Sequence, residues 1–285
     1  MTKKILFLFY KILFYLNKFF QKLFGKSFLF KFYEYFQNDA YKSIVILEKN
    51  INFFIPNQIT DWRVNTFFSK EPETIEWINK FEKKDKIIFW DIGANIGLYS
   101  IYSSLKNKNS TTISFEPSSS NLRILTRNIS INNLEKNIKV FPIPLSNKEN
   151  SFQLMKEGQF IEGGALNVFG EKFDFEGKNF EPSMKYNLFG TTINFLIEHK
   201  ILDIPDYIKM DVDGIEHLIL EGGNRVLNNN KIKSLSIEVN EKFQEQQHRV
   251  MDEMSKFGFK LLQKKNNNTI FAKDSKFKEV FNYVF

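Results

Sequence analysis

The chain has 285 residues, with 40 lysines and arginines against 33 aspartates and glutamates, three histidines and no cysteine. Disulfides, cysteine–zinc sites and thiol catalysis are excluded, and the absence of thiols is compatible with a cytoplasmic protein. His199, His217 and His248 are too scattered for a two-histidine helical metal motif, and no apolar run is long enough to read as a membrane span.

The location of the charge says more than its size. Residues 1–33 hold seven lysines (Lys3, Lys4, Lys11, Lys18, Lys22, Lys26 and Lys31) and no acid. Seven of the 40 basic residues thus lie in this arm, and the remaining 33 match the 33 acids. A neutral body does not support a basic groove for nucleic acid, so no nucleic-acid partner is expected. Within residues 1–36, Lys4, Lys11, Lys18 and Lys22 fall in one narrow helical sector and the rest is aromatic or aliphatic. This is the pattern of a basic amphipathic helix lying on an anionic membrane surface, with Gly25 breaking or bending it. A helix packed on the body or on a second subunit fits the pattern equally. A signal peptide fits less well, because Lys11 interrupts the apolar run and no small-residue cleavage site follows.

Residues 37–85 form a preface. Two short strands, 43–47 and 51–55, are expected around a polar turn at Lys49-Asn50. A helix follows from Glu71, with Pro72 and acids in its first turn. From residue 86 to 285 the pattern alternates. Strands are expected at 86–91, 111–116, 138–143, 206–211, 233–239, 258–263 and 268–273. Helices are expected near 96–105, 119–133, 191–200, 214–228 and 242–257. Such alternation predicts a Rossmann-like, mostly parallel α/β sheet of seven strands with helices on both faces. Lys264 to Asn268 reads as a hairpin, which makes one strand near the C-terminus antiparallel. Residues 147–190 contain Gly158, Gly163, Gly164, Gly170 and Gly177 and interrupt the pattern. A long irregular insertion of this kind is expected to be a functional loop.

Ligands of open α/β sheets bind beyond the carboxyl ends of the strands, and four such ends carry polar residues. The first is Asp91-Ile92-Gly93-Ala94-Asn95-Ile96-Gly97. It lacks the second glycine of a dinucleotide fingerprint, and Asp91 would repel a pyrophosphate. An acid in that place suits a ligand carrying a cationic amine or sulfonium, although a plain glycine-rich turn would look the same. At the second end Glu116 closes a strand and can take both hydroxyls of a ribose. The third, Ile208-Lys209-Met210-Asp211-Val212-Asp213-Gly214-Ile215-Glu216, places Lys209 and Asp211 on one strand face. Lysine is costly in a central parallel strand unless paired, with Asp211 or with Glu238 on the next strand. Asp213 and Glu216 have the spacing of a helix capping box, whereas Asp211 lies outside it. At the fourth end Glu238 and Asn240 share a face. A hard-cation site of Asp211, Glu238 and Asn240 is conceivable but ranks below a metal-free pocket.

Together these blocks resemble class I S-adenosylmethionine-dependent methyltransferases, and specifically the FkbM family. The resemblance rests on Asp91 to Gly97 with Tyr99-Ser100, Phe115-Glu116-Pro117, Ile208 to Gly214 with Glu216, and Ile237-Glu238, and it covers about residues 70–240. Two departures stand on the acceptor side. Asp213 replaces the usual glutamate, and Thr192-Ile193-Asn194 replaces a Thr-Leu-Asp run.

The resemblance implies S-adenosyl-L-methionine as cofactor and O-methylation of a sugar, glycan or other small hydroxylated metabolite. Asp91, Gly93, Asn95, Gly97 and Glu116 are then the expected cofactor residues. Asp211 is the expected base or acceptor-orienting group, with Lys209 or Glu238 setting its charge state. Residues 147–190 would form the acceptor lid. Two other readings stay open: a nucleic-acid or protein methyltransferase on the same fold, and a non-catalytic cofactor-binding module held at a membrane or complex by the arm.

Overall fold

The computed structural model describes residues 2–82, 86–179, 181–265 and 267–273. The arm is two helices, α1 (Thr2–Phe24) and α2 (Leu29–Asp39). Gly25, at φ +67°, ends the first, as expected of a residue without a Cβ. The elbow is fixed by Asn17, the one buried residue of α1. Its Oδ1 accepts from Ser27 Oγ (3.0 Å), Phe28 N (2.9 Å) and Leu29 N (3.2 Å), so it serves the free backbone donors that open α2.

The preface is a hairpin, β1 (Tyr41–Ile46) and β2 (Lys49–Phe54), followed by α3 (Gln58–Asn65), α4 (Phe67–Lys70) and α5 (Pro72–Asn79). The hairpin turn falls at Leu47-Glu48, both at positive φ, and not at Lys49-Asn50 as expected. A two-residue loop with both φ positive matches the strand twist, and that requirement overrides the polarity signal. Helices α3 and α4 add to the elements expected from the sequence. Asn57 caps α3 in a reciprocal box with Thr60.

The main sheet then begins: β3 (Ile88–Ile92), α6 (Leu98–Lys106), β4 (Thr111–Phe115), α7 (Ser119–Ile131) and β5 (Ile138–Phe141). The insertion, expected to be irregular, is an antiparallel sheet of β6 (Ser151–Glu157), β7 (Asn167–Phe169) and β8 (Met184–Gly190), with β6 central. After it come α8 (Ile193–Glu198), β9 (Tyr207–Met210), α9 (Glu216–Glu221), β10 (Ser234–Glu238), α10 (Gln244–Lys256), β11 (Lys260–Lys265) and β12 (Asn268–Ala272). Helix α9 is much shorter than the expected 214–228. It ends at Gly222, where a side chain would stand 2.1 Å from the Ser146 carbonyl, and residues 222–228 continue as turns.

The sheet order is β11-β12-β10-β9-β3-β4-β5, with β12 antiparallel to both neighbours and the remaining pairs parallel. The chain runs outward from β3 to β5 and returns to β9 on the other side of β3. The switch point, where a crevice opens beyond the carboxyl ends, therefore lies between β3 and β9. One face is packed by Trp90, Phe115, Ile208 and Met210. The other is packed by Phe53, Trp77, Phe89 and Tyr207, so the preface shares a core with the sheet. Trp77 Nε1 donates to Ser234 Oγ at 2.9 Å and ties α5 to β10.

Candidate functional site

Strand β3 is buried throughout and delivers the chain into the crevice. Gly93, Asn95 and Gly97 then adopt left-handed φ of +86°, +50° and +89°. A Cβ on Gly93 would lie 1.8 Å from the Asp211 carbonyl oxygen, so only glycine lets the ends of β3 and β9 touch. The turn is moored to β4, where Gly93 N and Ala94 N both donate to the Phe115 carbonyl at 3.0 Å.

Glu116 closes β4 and is held by backbone donors on both oxygens, Asn95 N at 2.7 Å and Ser118 N at 2.9 Å. Burial raises its pKa to about 8, and those two hydrogen bonds resist the rise. A cavity extends from Glu116 past Gly93 to Asp211 and Asp213, with apolar walls that include Phe115, Ile143 and Leu145. Met155 of β6 and Phe169 of β7 complete these walls, so the inserted sheet covers the crevice.

Residues 159–166 form a strap whose Gly164 lines the cavity. Asn95 Nδ2 donates to Gly164 O (2.8 Å), Asn121 Nδ2 donates to the same oxygen (3.1 Å), and Asn121 Oδ1 accepts from Gly163 N (2.9 Å). Arg63 Nε donates to Gly163 O at 2.6 Å. Asp213, at φ +59°, accepts from Leu166 N (2.7 Å) and Asn167 N (3.2 Å) with Oδ2. The expected capping box at Asp213 and Glu216 is therefore absent. Glu216 instead accepts from Val212 N (3.0 Å) and Gly214 N (3.1 Å) and shapes the turn after β9. Burial raises the pKa of Asp213 to about 6 and that of Glu216 to about 7, and the Asp211 charge adds to both.

On the other side of the glycine turn lies a second cavity, lined by Arg63, Lys70, Glu71, Tyr99, Lys209 and Asp211 among others. Lys209 is almost wholly buried. Its Nζ donates to Asp211 Oδ2 at 2.8 Å and lies 4.9 Å from the centre of the Tyr99 ring. Burial alone would lower its pKa, but the charges of Asp211, Glu71 and Asp91 hold it above the ordinary value. Burial likewise disfavours the Asp211 anion, yet Lys209 and a hydrogen bond from Glu238 outweigh that and keep the carboxylate ionised. The charge of Asp211 and burial push Glu238 well above its ordinary value, so Glu238 is the member of the pair that favours the protonated form. Replacing Lys209 with methionine would leave the buried Asp91 and the half-buried Asp211 without their cation. A loss of about 3–5 kcal/mol in unfolding free energy is expected, measured by urea denaturation.

Of the expected cofactor residues, Gly93, Asn95 and Glu116 wall the first cavity. Asp91 and Gly97 wall neither cavity. Asp91 lies beneath the turn, opposite Lys209 in register, with Oδ2 accepting from Ser100 Oγ at 2.5 Å. Gly97 admits α6 against Leu125, where a Cβ would meet Cδ1 at 2.6 Å. Of the expected catalytic residues, Asp211 borders both cavities, Lys209 borders the second, and Glu238 reaches the site through Asp211. Asn240 is occupied elsewhere: its Nδ2 donates to Phe175 O at 2.9 Å, and its Oδ1 accepts from Lys242 N at 3.0 Å. Arg63 and Asn121 join the site without having been singled out by sequence reasoning, and Glu71, read from the sequence as an acid opening a helix, lines the second cavity. Asn121 follows the Ser118 cap in the first turn of α7, which is a usable signal, whereas Arg63 carries none.

The methyltransferase FkbM domain model matches residues 91–261, more than half of the chain. The chain belongs to the FkbM methyltransferase family. Among solved structures, this FkbM protein is similar to the methyltransferase FkbM of Methylobacillus flagellatus KT, at 17% identity and a TM-score of 0.46. That match covers 75% of this chain and 54% of the other, so this chain spans about half the length of that protein. It is also similar to the precorrin-6y C5,15-methyltransferase of Geobacter metallireducens GS-15 (14% identity, TM-score 0.42, 73% and 90% covered). A third likeness is to TYW2 of M. jannaschii in complex with AdoMet (14% identity, TM-score 0.41, 82% and 85% covered). No curated protein matches the chain.

Proposed function

We propose that this FkbM protein transfers a methyl group from S-adenosyl-L-methionine to a hydroxyl of a sugar, glycan or related small metabolite. One observation carries the reading. A single cavity runs from a buried, pre-oriented carboxylate suited to a ribose, Glu116, to an ionised carboxylate at the switch point, Asp211.

The residues present fit the cofactor. Each Glu116 oxygen keeps a free lone pair after its backbone bond and can accept a ribose hydroxyl. Phe115, Ile143 and Leu145 offer an apolar slot for a flat base, and Gly93 leaves backbone exposed to close approach. When bound, S-adenosylmethionine supplies a methyl group already activated on a sulfonium sulfur, which leaves alignment and proton transfer to the protein. Asp211 accepts a hydrogen bond from the acceptor hydroxyl. It takes that proton as the oxygen–methyl bond forms and the sulfur–methyl bond breaks. Lys209 keeps Asp211 charged, and protonated Glu238 fixes its orientation.

Label from S-adenosylmethionine carrying a tritiated methyl group is expected on oxygen when a panel of glycans and glycolipids is screened. Cofactor binding with no transfer to any member would count against the reading. A second test uses pH. Ribose hydroxyls favour the ionised form of Glu116, so below a pKa of about 8 binding must release a proton. The affinity for S-adenosylhomocysteine is expected to rise about tenfold per pH unit toward pH 8 and then level off. Glu116→Gln should bind weakly with a nearly flat profile. An unchanged slope in that variant would remove Glu116 from the ribose site.

A further inference from the structure

The loudest feature outside the site is the arm. Along α1, one face carries Ile5, Leu8, Phe9, Ile12, Leu16 and Phe19, each about half exposed or more. Exposure of this extent on a monomer marks an interaction surface. We infer that α1 and α2 lie in the interface of an anionic lipid bilayer and hold the strapped mouth of the cavity beside it.

Charge selects this occupant. Seven lysines and no acid lie in residues 1–33, so two arms brought together would repel each other, whereas an anionic surface complements them. The lysines are placed for shallow insertion. Lys11 Nζ stands 5.3 Å and 5.7 Å from the ring centres of Phe7 and Phe14, and Lys18 Nζ stands 4.9 Å from that of Phe14. These cation–π contacts hold the ammonium groups on the lysine face of α1, at headgroup level when the face from Ile5 to Phe19 is inserted. Spanning is not the mode, because among the described residues no helix is long and apolar enough to cross a membrane.

The elbow and the root give the arm a defined geometry. Asn17 couples α1 to α2 through three accepted hydrogen bonds. Helix α2 adds exposed Phe30, Tyr33, Tyr35 and Phe36, residue types that favour the membrane interface. Near the end of α2, Gln37 Oε1 accepts from Arg123 Nη2 at 2.8 Å, and Arg123 Nη1 donates to Glu162 Oε1 of the strap at 2.9 Å. The arm thus leaves the body one side chain away from the cover of the cavity.

The test is flotation of the full chain with phosphatidylcholine vesicles, with and without phosphatidylglycerol. The anionic vesicles are expected to carry the protein upward at least tenfold more effectively. Each lysine removed should cost about fivefold in partitioning. The combined variant K4E/K11E/K18E/K22E should lose more than about a hundredfold. Phe9→Ser with Leu16→Ser should lose binding at unchanged charge. Both variants should keep wild-type affinity for S-adenosylhomocysteine, which shows that the body has folded and separates this inference from the cofactor assignment. Flotation that ignores vesicle charge, or that survives charge reversal, would overturn the proposal. So would a stable dimer that stays at the bottom of the gradient with anionic vesicles, which would assign the face to a second copy.

Discussion

Asp211→Asn is expected to lower kcat about a thousandfold, or about 4 kcal/mol of transition-state stabilisation, while the cofactor affinity changes by less than about threefold. The asparagine keeps the shape and one acceptor oxygen but cannot take a proton. Lys209 retains Asp91 opposite it in register and keeps a carbonyl partner at position 211, so the fold survives. Steady-state kinetics with the acceptor found in the screen would measure the loss, and calorimetry with S-adenosylhomocysteine would measure the affinity. Glu238→Gln supplies the contrast. Glu238 is the member of the pair that favours the proton, and glutamine keeps a donor at that place, so a loss of only about tenfold is expected. Wild-type turnover in Asp211→Asn would remove this carboxylate from the chemistry. A larger loss in Glu238→Gln than in Asp211→Asn would reverse the two roles.

The second large effect is structural. Gly93→Ala forces a Cβ into the Asp211 carbonyl, 1.8 Å away, at a backbone φ of +86°. Left-handed strain accounts for about 1–2 kcal/mol. The clash adds more, because the carbonyl can retreat only by parting β9 from β3, where Asp211 N donates to Ile92 O at 3.0 Å. A total loss of at least about 3 kcal/mol is expected, with cofactor binding lost in whatever folded protein remains. Urea titration with and without S-adenosylhomocysteine would measure both. A variant with wild-type stability would mean that the ends of β3 and β9 are not in contact.

The central strands are legible in the sequence because they are buried on both faces. Ile88, Phe89 and Trp90 form an uninterrupted apolar run, Ile208 and Met210 flank the single charge of Lys209, and the carboxyl-end acids stand out against them. Hence strand order and polarity alone put Glu116 and Asp211 at one edge of the sheet. The inserted sheet is not legible, because β6 and β8 pair only with elements of the insertion and much of their surface stays wet: Phe152 and Phe189 are exposed while Lys156 is half-buried. Helices α3 and α4 are too short to show a period.

Asp91 shows the limit on the site side. An acid before a glycine turn can face the ligand or the sheet, and its orientation depends on Ser100 and Lys209, nine and 118 residues away. Asp213 shows the same competition. Local spacing favours a helix cap, but the backbone donors of Leu166 and Asn167 in the cover claim its carboxylate. Arg63 reaches the strap at Gly163, 100 positions further along the chain, and no local pattern encodes such a contact.

The central claim is that the cavity between Glu116 and Asp211 binds S-adenosylmethionine and directs its methyl group to an acceptor oxygen. The most direct measurement incubates the protein with S-adenosylmethionine carrying a 13C methyl group and the glycan panel, followed by NMR of the products. A new O-methyl resonance is expected with wild-type protein and is expected to vanish with Asp211→Asn. Label on nitrogen or carbon, or full cofactor affinity with no labelled acceptor, would contradict it.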